Sequence, residues 1–328
     1  MDRQKELQFA ISAVAQAARL AIDVQNELAP QDALAKQDRS PVTVADYGVQ
    51  ALISRSLQHA FPNDPLMGEE SSDELHSDAA KPIIQKVIER VTAVEPKIAA
   101  DDVIGLIDRA SHGGGSKSRF WTLDPIDGTK GFLRREQYAI ALALIEDGEV
   151  VAGVLGCPNL PISSDASPAG CILAAAQGTG AQIMLLDGSA PVAIQTRKIE
   201  QTTEAIVCES VETGHSDHSS SAQVSTQLGI ATNPVRIDSQ CKYAVVARGD
   251  ADIYLRLPTR PGYQERIWDH AAGAIIVTES GGTVTDVNGK ALDFSRGSTL
   301  SENKGVIATS GAIHDRVVEV VKNVLGSN

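Results

Sequence analysis

The amino-terminal segment carries apolar residues at helical spacing with charged residues between them. Leu7, Ile11, Val14 and Ala18 recur every three or four positions, which predicts an amphipathic helix that ends at about Leu28. No stretch of the chain has the apolar core of a signal peptide or the uninterrupted apolar length of a membrane span. We therefore expect this helix to belong to a soluble fold that does not contact a membrane.

The rest of the first half continues in helical patterns, and the period changes at Phe120. Short runs rich in apolar and β-branched residues then follow, separated by Gly and Asp turns, as is typical of strands. Asp147-Gly148 between two such runs predicts a hairpin. Helices are predicted over residues 44–60, 80–94, 100–110, 219–228, 268–280 and 312–325, and strands over 65–69, 120–123, 138–145, 150–156, 206–208, 253–257 and 305–309.

This alternation predicts an α/β fold of layered helices and sheets. With 328 residues the chain is long enough for two lobes. The small, polar stretch 163–170 is the predicted boundary between them. It divides the chain into an N-terminal α+β lobe, residues 1–165, and a C-terminal α/β lobe, residues 166–328.

Charge and cysteine content narrow the function classes. The formal charge is −13, so the chain gains nothing from counterion release on nucleic acid, and a polymeric nucleic acid partner is not expected. A small anionic substrate remains compatible, because bound cations invert the local field. Four scattered cysteines without a CxxC pair predict reduced core thiols and a cytoplasmic location; they are Cys157, Cys171, Cys208 and Cys241.

The most informative segment is WTLDPIDGTKGF, residues 121–132. Asp124 and Asp127 follow a predicted strand, and Pro125 and Gly128 allow the backbone to turn sharply there. Both carboxylates and the Ile126 carbonyl can then point at one spot, and hard oxygen ligands of this kind suit Mg²⁺. An Asp-Pro-x-Asp-Gly turn is also ordinary loop chemistry, so this segment alone leaves both interpretations open.

Two other acidic positions favour the metal interpretation. Glu69 and Glu70 follow a predicted strand and a glycine, and Asp269 opens an Ala-rich helical segment. Asp269 has a simpler interpretation as an N-terminal helix cap, and Asp46, at the start of the predicted helix 44–60, has the same one.

Taken together, these motifs resemble the signature set of the lithium-sensitive phosphatase superfamily, which includes inositol monophosphatases and fructose-1,6-bisphosphatases. The motifs are GEE at residues 68–70, WTLDPIDGT at 121–129, WDHAAG at 268–273 and ESGG at 279–282. Within that superfamily the chain looks most like the 3′(2′),5′-bisphosphate nucleotidases, through SPVTVAD at 40–46, GTKGF at 128–132, DSQCKY at 238–243 and ADIYLRL at 251–257. The resemblance implies an αβαβα sandwich.

The resemblance also implies a set of site residues. The expected metal ligands, for two or three Mg²⁺ ions, are Glu69, Asp124, Asp127, Asp269 and the carbonyl of Ile126. Asp46 and Thr129 would position and activate the attacking water in an in-line displacement. The expected substrate-binding residues are Thr129, His215, Ser239, Lys242, Arg256 and Asp269.

Lys242 and Arg256 would bind a second, non-reacting phosphate, Arg256 bidentately. Two alternatives stay open here: Arg256 lies in an alternating segment and would suit a solvated strand position, and His215 would suit a polar loop.

The implied activity is Mg²⁺-dependent hydrolysis of 3′-phosphoadenosine 5′-phosphate to AMP and phosphate, with its 5′-phosphosulfate analogue as a second substrate. A place in sulfate assimilation, inhibition by millimolar Li⁺ and a monomeric state belong to the same expectation. Two alternatives are kept: a phosphatase of the same superfamily that acts on inositol phosphates, and a metal- or nucleotide-binding regulator without catalysis.

Overall fold

The computed structural model describes residues 3–28, 33–35, 41–77, 80–117, 119–163, 170–211, 218–260 and 262–326. Within these residues the α-helices are α1 (Gln4–Asn26), α2 (Val44–Ala60), α3 (Lys81–Val94), α4 (Val103–Asp108), α5 (Thr129–Leu133), α6 (His218–Gln227), α7 (Cys241–Ala247), α8 (Ala271–Glu279) and α9 (His314–Gly326).

The strands of the described residues form two large sheets and a small hairpin. Their bounds are β1 (Ala33–Ala35), β2 (Pro41–Thr43), β3 (Leu66–Gly68), β4 (Arg119–Asp127), β5 (Ala139–Glu146), β6 (Glu149–Cys157), β7 (Cys171–Ala176), β8 (Ala181–Leu185), β9 (Val192–Ile194), β10 (Val207–Glu209), β11 (Val235–Arg236), β12 (Ile253–Arg256), β13 (Gly282–Thr285) and β14 (Val306–Ser310).

The seven-stranded sheet has the order β3-β4-β5-β6-β7-β8-β9 and is antiparallel except for the β3–β4 pair. The predicted hairpin at Asp147-Gly148 is confirmed, since Glu146 pairs with Glu149 where β5 turns into β6. The five-stranded sheet has the order β11-β10-β12-β14-β13 and is mixed. Three strands of the large sheet, β7 to β9, follow residue 165, and the lobe division at that residue stays a prediction.

Helices and sheets alternate in five layers, which confirms the expected αβαβα arrangement. α1 and α2 pack on one face of the large sheet, against β6 and β4. α8 fills the space between the two sheets and contacts both β6 and β13, while α7 packs on α8, β12 and β14. α9 covers the outer face of the small sheet through β14, with α6 beside it. Three buried apolar clusters fill the interfaces between the layers, and one of them surrounds the middle helices and reaches both sheets.

Helix α1 is long and apolar enough to cross a membrane by length and composition alone, which the sequence analysis did not anticipate. Its buried residues, among them Ala10, Val14, Ala17 and Leu20, pack on helix α2 and on strands β5, β6 and β7. The helix is therefore part of the largest apolar core of the fold.

Candidate functional site

The site is built around the end of strand β4. In a regular strand, residues three apart point to opposite faces. Between Asp124 and Asp127 the register shifts: Asp124 pairs with Ala141 and Asp127 with Ala139, so three steps on β4 match two on β5. This irregularity inserts one extra residue, as a β-bulge does, and lets both carboxylates reach the same cavity.

This cavity measures about 510 Å³ and collects nearly all of the predicted site residues. The predicted residues that line it are Glu69, Asp124, Ile126, Asp127, Thr129, Ser239, Lys242, Arg256 and Asp269. Asp46 is fully buried and does not line the cavity, but its charge acts on Asp124. His215 lies outside the described residues, so its place in the site stays a prediction.

Glu69 is positioned by the backbone that follows β3. The Gln50 side chain, buried on α2, donates to the Glu70 carbonyl at 2.7 Å and accepts from the Glu70 amide at 3.1 Å. A Cβ atom on Gly68 would lie 2.3 Å from Gln50 Oε1, so this close approach requires glycine. These two hydrogen bonds fix the backbone at Glu70. Glu69 lines the cavity, whereas Glu70 is buried and does not line it.

The two capping interpretations have different outcomes. Asp46 is not the N-cap residue of α2, which is Thr43, but it completes a capping box there: its Oδ2 accepts from the Thr43 amide at 2.8 Å and from the Thr43 hydroxyl at 2.6 Å. The cap at Asp269 is wrong, because α8 begins at Ala271 with His270 as its N-cap residue. Asp269 ends a short 3₁₀ turn that begins at Ile267 and faces the cavity.

The four acidic residues that were predicted as metal ligands act on one another electrostatically. Burial and then repulsion from Glu69, Asp127 and Asp269 raise the pKa of Asp124 well above its usual value. Burial raises the pKa of Asp127 to about 6, although Lys242 opposes the shift. Burial also raises the pKa of Asp269. Without cations, this cluster resists full ionisation.

The chemistry of the donor set fits a hard divalent cation. Among the described residues, Asp124 Oδ1 is a buried carboxylate oxygen without a hydrogen-bond partner, which is costly unless an ion completes it. Carboxylates with a nearby carbonyl are the ligands that Mg²⁺ takes in proteins. The Ile126 carbonyl accepts a hydrogen bond from the Thr129 hydroxyl at 3.2 Å and retains a second lone pair.

The loop before α7 and the first turn of α7 form another wall of the cavity, and this turn carries a cationic group, Lys242. Lys242 is 3% exposed, and burial lowers its pKa. Its Nζ donates to the Ser239 carbonyl at 2.6 Å and to the Ile237 carbonyl at 3.3 Å. Two of three ammonium donors thus hold the loop itself, while the group remains on the cavity lining.

Arg256 lies on the same wall, at the end of β12. Its Nε and Nη2 each lie 2.9 Å from Glu265 Oε2, and its side chain is 12% exposed. The interpretation of Arg256 as a solvated strand residue is therefore wrong. The cavity thus has an acidic end and a cationic end.

Several lining residues were not singled out from the sequence as site residues. Gln240 joins three segments. Its backbone amide donates to Asp127 Oδ2. Its side-chain Nε2 donates to the Trp268 carbonyl, and its side-chain Oε1 accepts from the Gly273 backbone amide. Its place in the DSQCKY segment was the available signal. The remaining lining residues not predicted are Gly128, Lys130, Gly131, Asp238, Tyr254, Arg260, Tyr263, Arg266 and Trp268.

Comparisons with known proteins extend over nearly the whole chain. Residues 2–325 match the model of the inositol monophosphatase family. The 3′(2′),5′-bisphosphate nucleotidase of Schizosaccharomyces pombe is 43% identical over 99% of this chain and 97% of its own length, and that of Emericella nidulans is 42% identical over 99% of both. An IMPase of Thermotoga maritima is 24% identical over 98% of both chains, with a TM-score of 0.68, a likeness of fold.

Proposed function

The chain belongs to the inositol monophosphatase family, and from that membership we propose that it is a Mg²⁺-dependent 3′(2′),5′-bisphosphate nucleotidase. The proposed reaction is hydrolysis of 3′-phosphoadenosine 5′-phosphate to AMP and phosphate, with the 5′-phosphosulfate analogue as a second substrate. The relatives that carry this name are 42–43% identical over 99% of the chain. One observation carries the proposal: a single cavity joins a carboxylate cluster to two buried cations, and a bisphosphate needs both ends.

The acidic end would hold the metal. Its proposed ligands are Glu69, Asp124, Asp127, Asp269 and the Ile126 carbonyl, in sites for two or three Mg²⁺ ions. When bound, Mg²⁺ neutralises the cluster, lowers the pKa of water and stabilises the charge of the transferring phosphoryl group.

Residues of the chain itself orient the reacting groups. Asp46 and Thr129 would position the attacking water, whose oxygen forms the new bond to phosphorus as the bond to the ribose 3′ oxygen breaks. Asp46 is held rigidly for this task because its carboxylate caps α2, and Thr129 is held by the Ile126 carbonyl. Such fixed positions lower the entropic part of the barrier.

The cationic end would select the substrate. Lys242 and Arg256 would bind the phosphate that does not react, and Ser239 lies beside them on the lining. Buried guanidinium and ammonium groups bind phosphate oxygens strongly because little water competes. A substrate that carries only the reacting phosphate places no phosphate at this end.

Phosphate release from 3′-phosphoadenosine 5′-phosphate, measured with Mg²⁺ and with EDTA, tests the proposal. We expect release with Mg²⁺ alone. Activity on inositol phosphates without activity on the nucleotide would replace the substrate assignment. Lys242→Ala sharpens this comparison, because loss of a nucleotide-phosphate contact penalises the two substrates unequally.

A regulator without catalysis is the other alternative, and Asp127→Asn addresses it. A binding protein has no hydrolysis to lose, whereas an enzyme loses hydrolysis in this variant. We further propose inhibition by millimolar Li⁺, a role in sulfate assimilation, a cytoplasmic location and a monomeric state; the four buried cysteines without disulfides support a reducing compartment.

A further inference from the structure

Behind the cationic end of the cavity lies a buried chain of four polar side chains: Tyr243, His270, Glu265 and Arg256. Arg256 lines the cavity, whereas the other three lie outside the lining. Glu265 is 6% exposed, and His270 and Tyr243 are fully buried. Buried polar groups are costly unless they are satisfied, so a continuous chain of this kind fixes the positions of its members.

The hydrogen bonds run in one direction, towards Glu265. The Tyr243 hydroxyl lies 2.7 Å from His270 Nδ1, and His270 Nε2 lies 3.3 Å from Glu265 Oε2. Because an ionised carboxylate only accepts, we assign the ring proton to Nε2, and Nδ1 then accepts from Tyr243. Burial by itself raises the pKa of Glu265, but Arg256 and His270 outweigh it and hold the pKa at about 2.

Arg256 has a second carboxylate within reach. Its Nη2 lies 2.9 Å from Glu265 Oε2 and 3.8 Å from Asp269 Oδ2. Asp269 belongs to the proposed metal cluster, so an arginine that moved onto Asp269 would leave the phosphate end and oppose cation binding. Glu265 holds the guanidinium at the opposite end through two donors, Nε and Nη2.

We propose that Glu265 is a positioning residue for the non-reacting phosphate, and that His270 and Tyr243 fix Glu265 in that role. Glu265 keeps Arg256 from closing further onto Asp269, whose Oδ2 lies 3.8 Å from Nη2. The identity of the phosphate rests on the proposed function: it is the 5′-phosphate of an adenosine nucleotide, which the product AMP also carries.

Calorimetric binding of AMP, with adenosine as the probe that lacks the phosphate, tests the proposal without hydrolysis. In Mg²⁺ buffer we expect Glu265→Gln to weaken AMP binding by about tenfold or more, because a charge-assisted pair is lost and Arg256 turns to Asp269. Adenosine binding is expected to stay unchanged. Tyr243→Phe is expected to give a smaller loss in the same direction, and it retains the ring that packs on Gly273.

Glu209→Gln is the matched control. Glu209 is 4% exposed and pairs with Arg236 at 3.1 Å, but it lies outside the cavity lining. This variant removes the same charge from another buried glutamate that pairs with an arginine, here the exposed Arg236, so it is expected to bind AMP as the wild type does. If Glu265→Gln and Glu209→Gln lose AMP affinity equally, the loss reflects general destabilisation of the fold, and the proposal is overturned.

Kinetics separate the positioning role from the reaction itself. For 3′-phosphoadenosine 5′-phosphate we expect Glu265→Gln to raise KM by about tenfold with kcat within about threefold, and for adenosine 3′-monophosphate to change neither. AMP binding that is unchanged or tighter in Glu265→Gln overturns the proposal. If the wild type hydrolyses neither nucleotide but AMP binding follows the expected pattern, the proposed function fails and the role of Glu265 stands.

Discussion

Gly128 and Ser239 meet so closely that a Cβ atom on Gly128 would lie 2.9 Å from the Ser239 Cβ. Gly128 follows β4, which carries two of the carboxylates, and Ser239 belongs to the loop before α7, which carries Lys242. Both residues have positive φ, 86° and 64°, and the next amide along, that of Gln240, donates to Asp127. The contact therefore packs the loop of the proposed substrate-binding residues directly against the strand end that carries the proposed metal ligands.

Gly128→Ala is therefore expected to damage activity more than stability alone would explain. The new methyl group pushes the Ser239 loop away, and a displacement of about 1 Å at a reacting site costs about a hundredfold in rate. The positive φ adds about 1–2 kcal/mol of strain. Steady-state kcat/KM and thermal unfolding measure the two effects.

Gly178→Ala separates the backbone strain of an alanine at positive φ from the steric clash of its methyl group with a neighbouring loop. Gly178 also has a positive φ, 76°, but a Cβ atom there meets nothing within 4 Å. We expect a modest fall in the melting temperature and unchanged kcat/KM. A hundredfold loss in this variant, or full activity in Gly128→Ala, would contradict the role of the contact.

Asp124→Asn tests the carboxylate cluster as a cation site. Its neutral amide replaces a buried carboxyl whose ionisation is opposed by four other carboxylates, so in EDTA the melting temperature is expected to rise by about 2–4 °C. The increase that Mg²⁺ gives the wild type should disappear, because that increase requires binding to the folded site. Hydrolysis should fall by about a thousandfold, about 4 kcal/mol of transition-state stabilisation.

Asp252→Asn is the control for that experiment. Asp252 is fully buried, pairs with Arg197 at 2.7 Å and lies outside the cavity lining. The substitution leaves the carboxylate cluster of the cavity intact, so we expect the increase in melting temperature that Mg²⁺ gives to be undiminished. A Mg²⁺ increase that survives in Asp124→Asn would count against the cluster.

The pKa of Asp127 predicts how stability depends on pH. Burial raises this pKa from 3.8 to about 6 in the folded chain, so between these values the unfolded chain releases a proton that the folded chain retains. The contribution of Asp127 to stability is therefore present below about pH 4 and is lost as pH rises to about 6. Mg²⁺ binds the ionised form and offsets the loss.

Urea unfolding in EDTA and in Mg²⁺, at pH values from 4.5 to 7.5, measures the difference. The stabilisation by Mg²⁺ is expected to grow with pH across this range, because the pKa values of Asp124 and Asp269 are raised as well, and Asp127→Asn is expected to weaken this dependence. Stabilisation by Mg²⁺ that is equal at every pH would show that protons and cations do not compete at the cluster.

Periodicity predicted the amphipathic helices best, because a one-sided apolar face leaves a clear pattern. Helix α2 has the predicted bounds, and α3 starts within one residue of its prediction. Strands β7 and β8 were missed. Every residue of β7 is buried and the strand reads CILAAA, so it lacks the alternation that marks a half-buried strand.

The carboxylates of the site could be predicted, but most of the backbone contacts that hold them could not. The turn around Asp124 and Asp127 suggested a metal site that includes the Ile126 carbonyl, and the resemblance to a known family added Asp269. The link from the Gln240 amide to Asp127 leaves no trace in the sequence, since every residue except proline has the same donor. The Glu265 chain was missed because its members pair only in three dimensions.

Asp46 combines a helix cap with a proposed catalytic role, and Asp46→Asn separates them. The amide oxygen of Asn still accepts from the Thr43 amide, so most of the cap survives and the melting temperature is expected to change little. The charge that acts on Asp124 is lost, and kcat is expected to fall by about a hundredfold, as for loss of a general base. Thr43→Val, which removes the hydroxyl that Ala45 and Asp46 share, should instead cost about 1 kcal/mol of stability and little kcat. If the two variants lose stability and kcat in the same proportion, the carboxylate acts only through the helix.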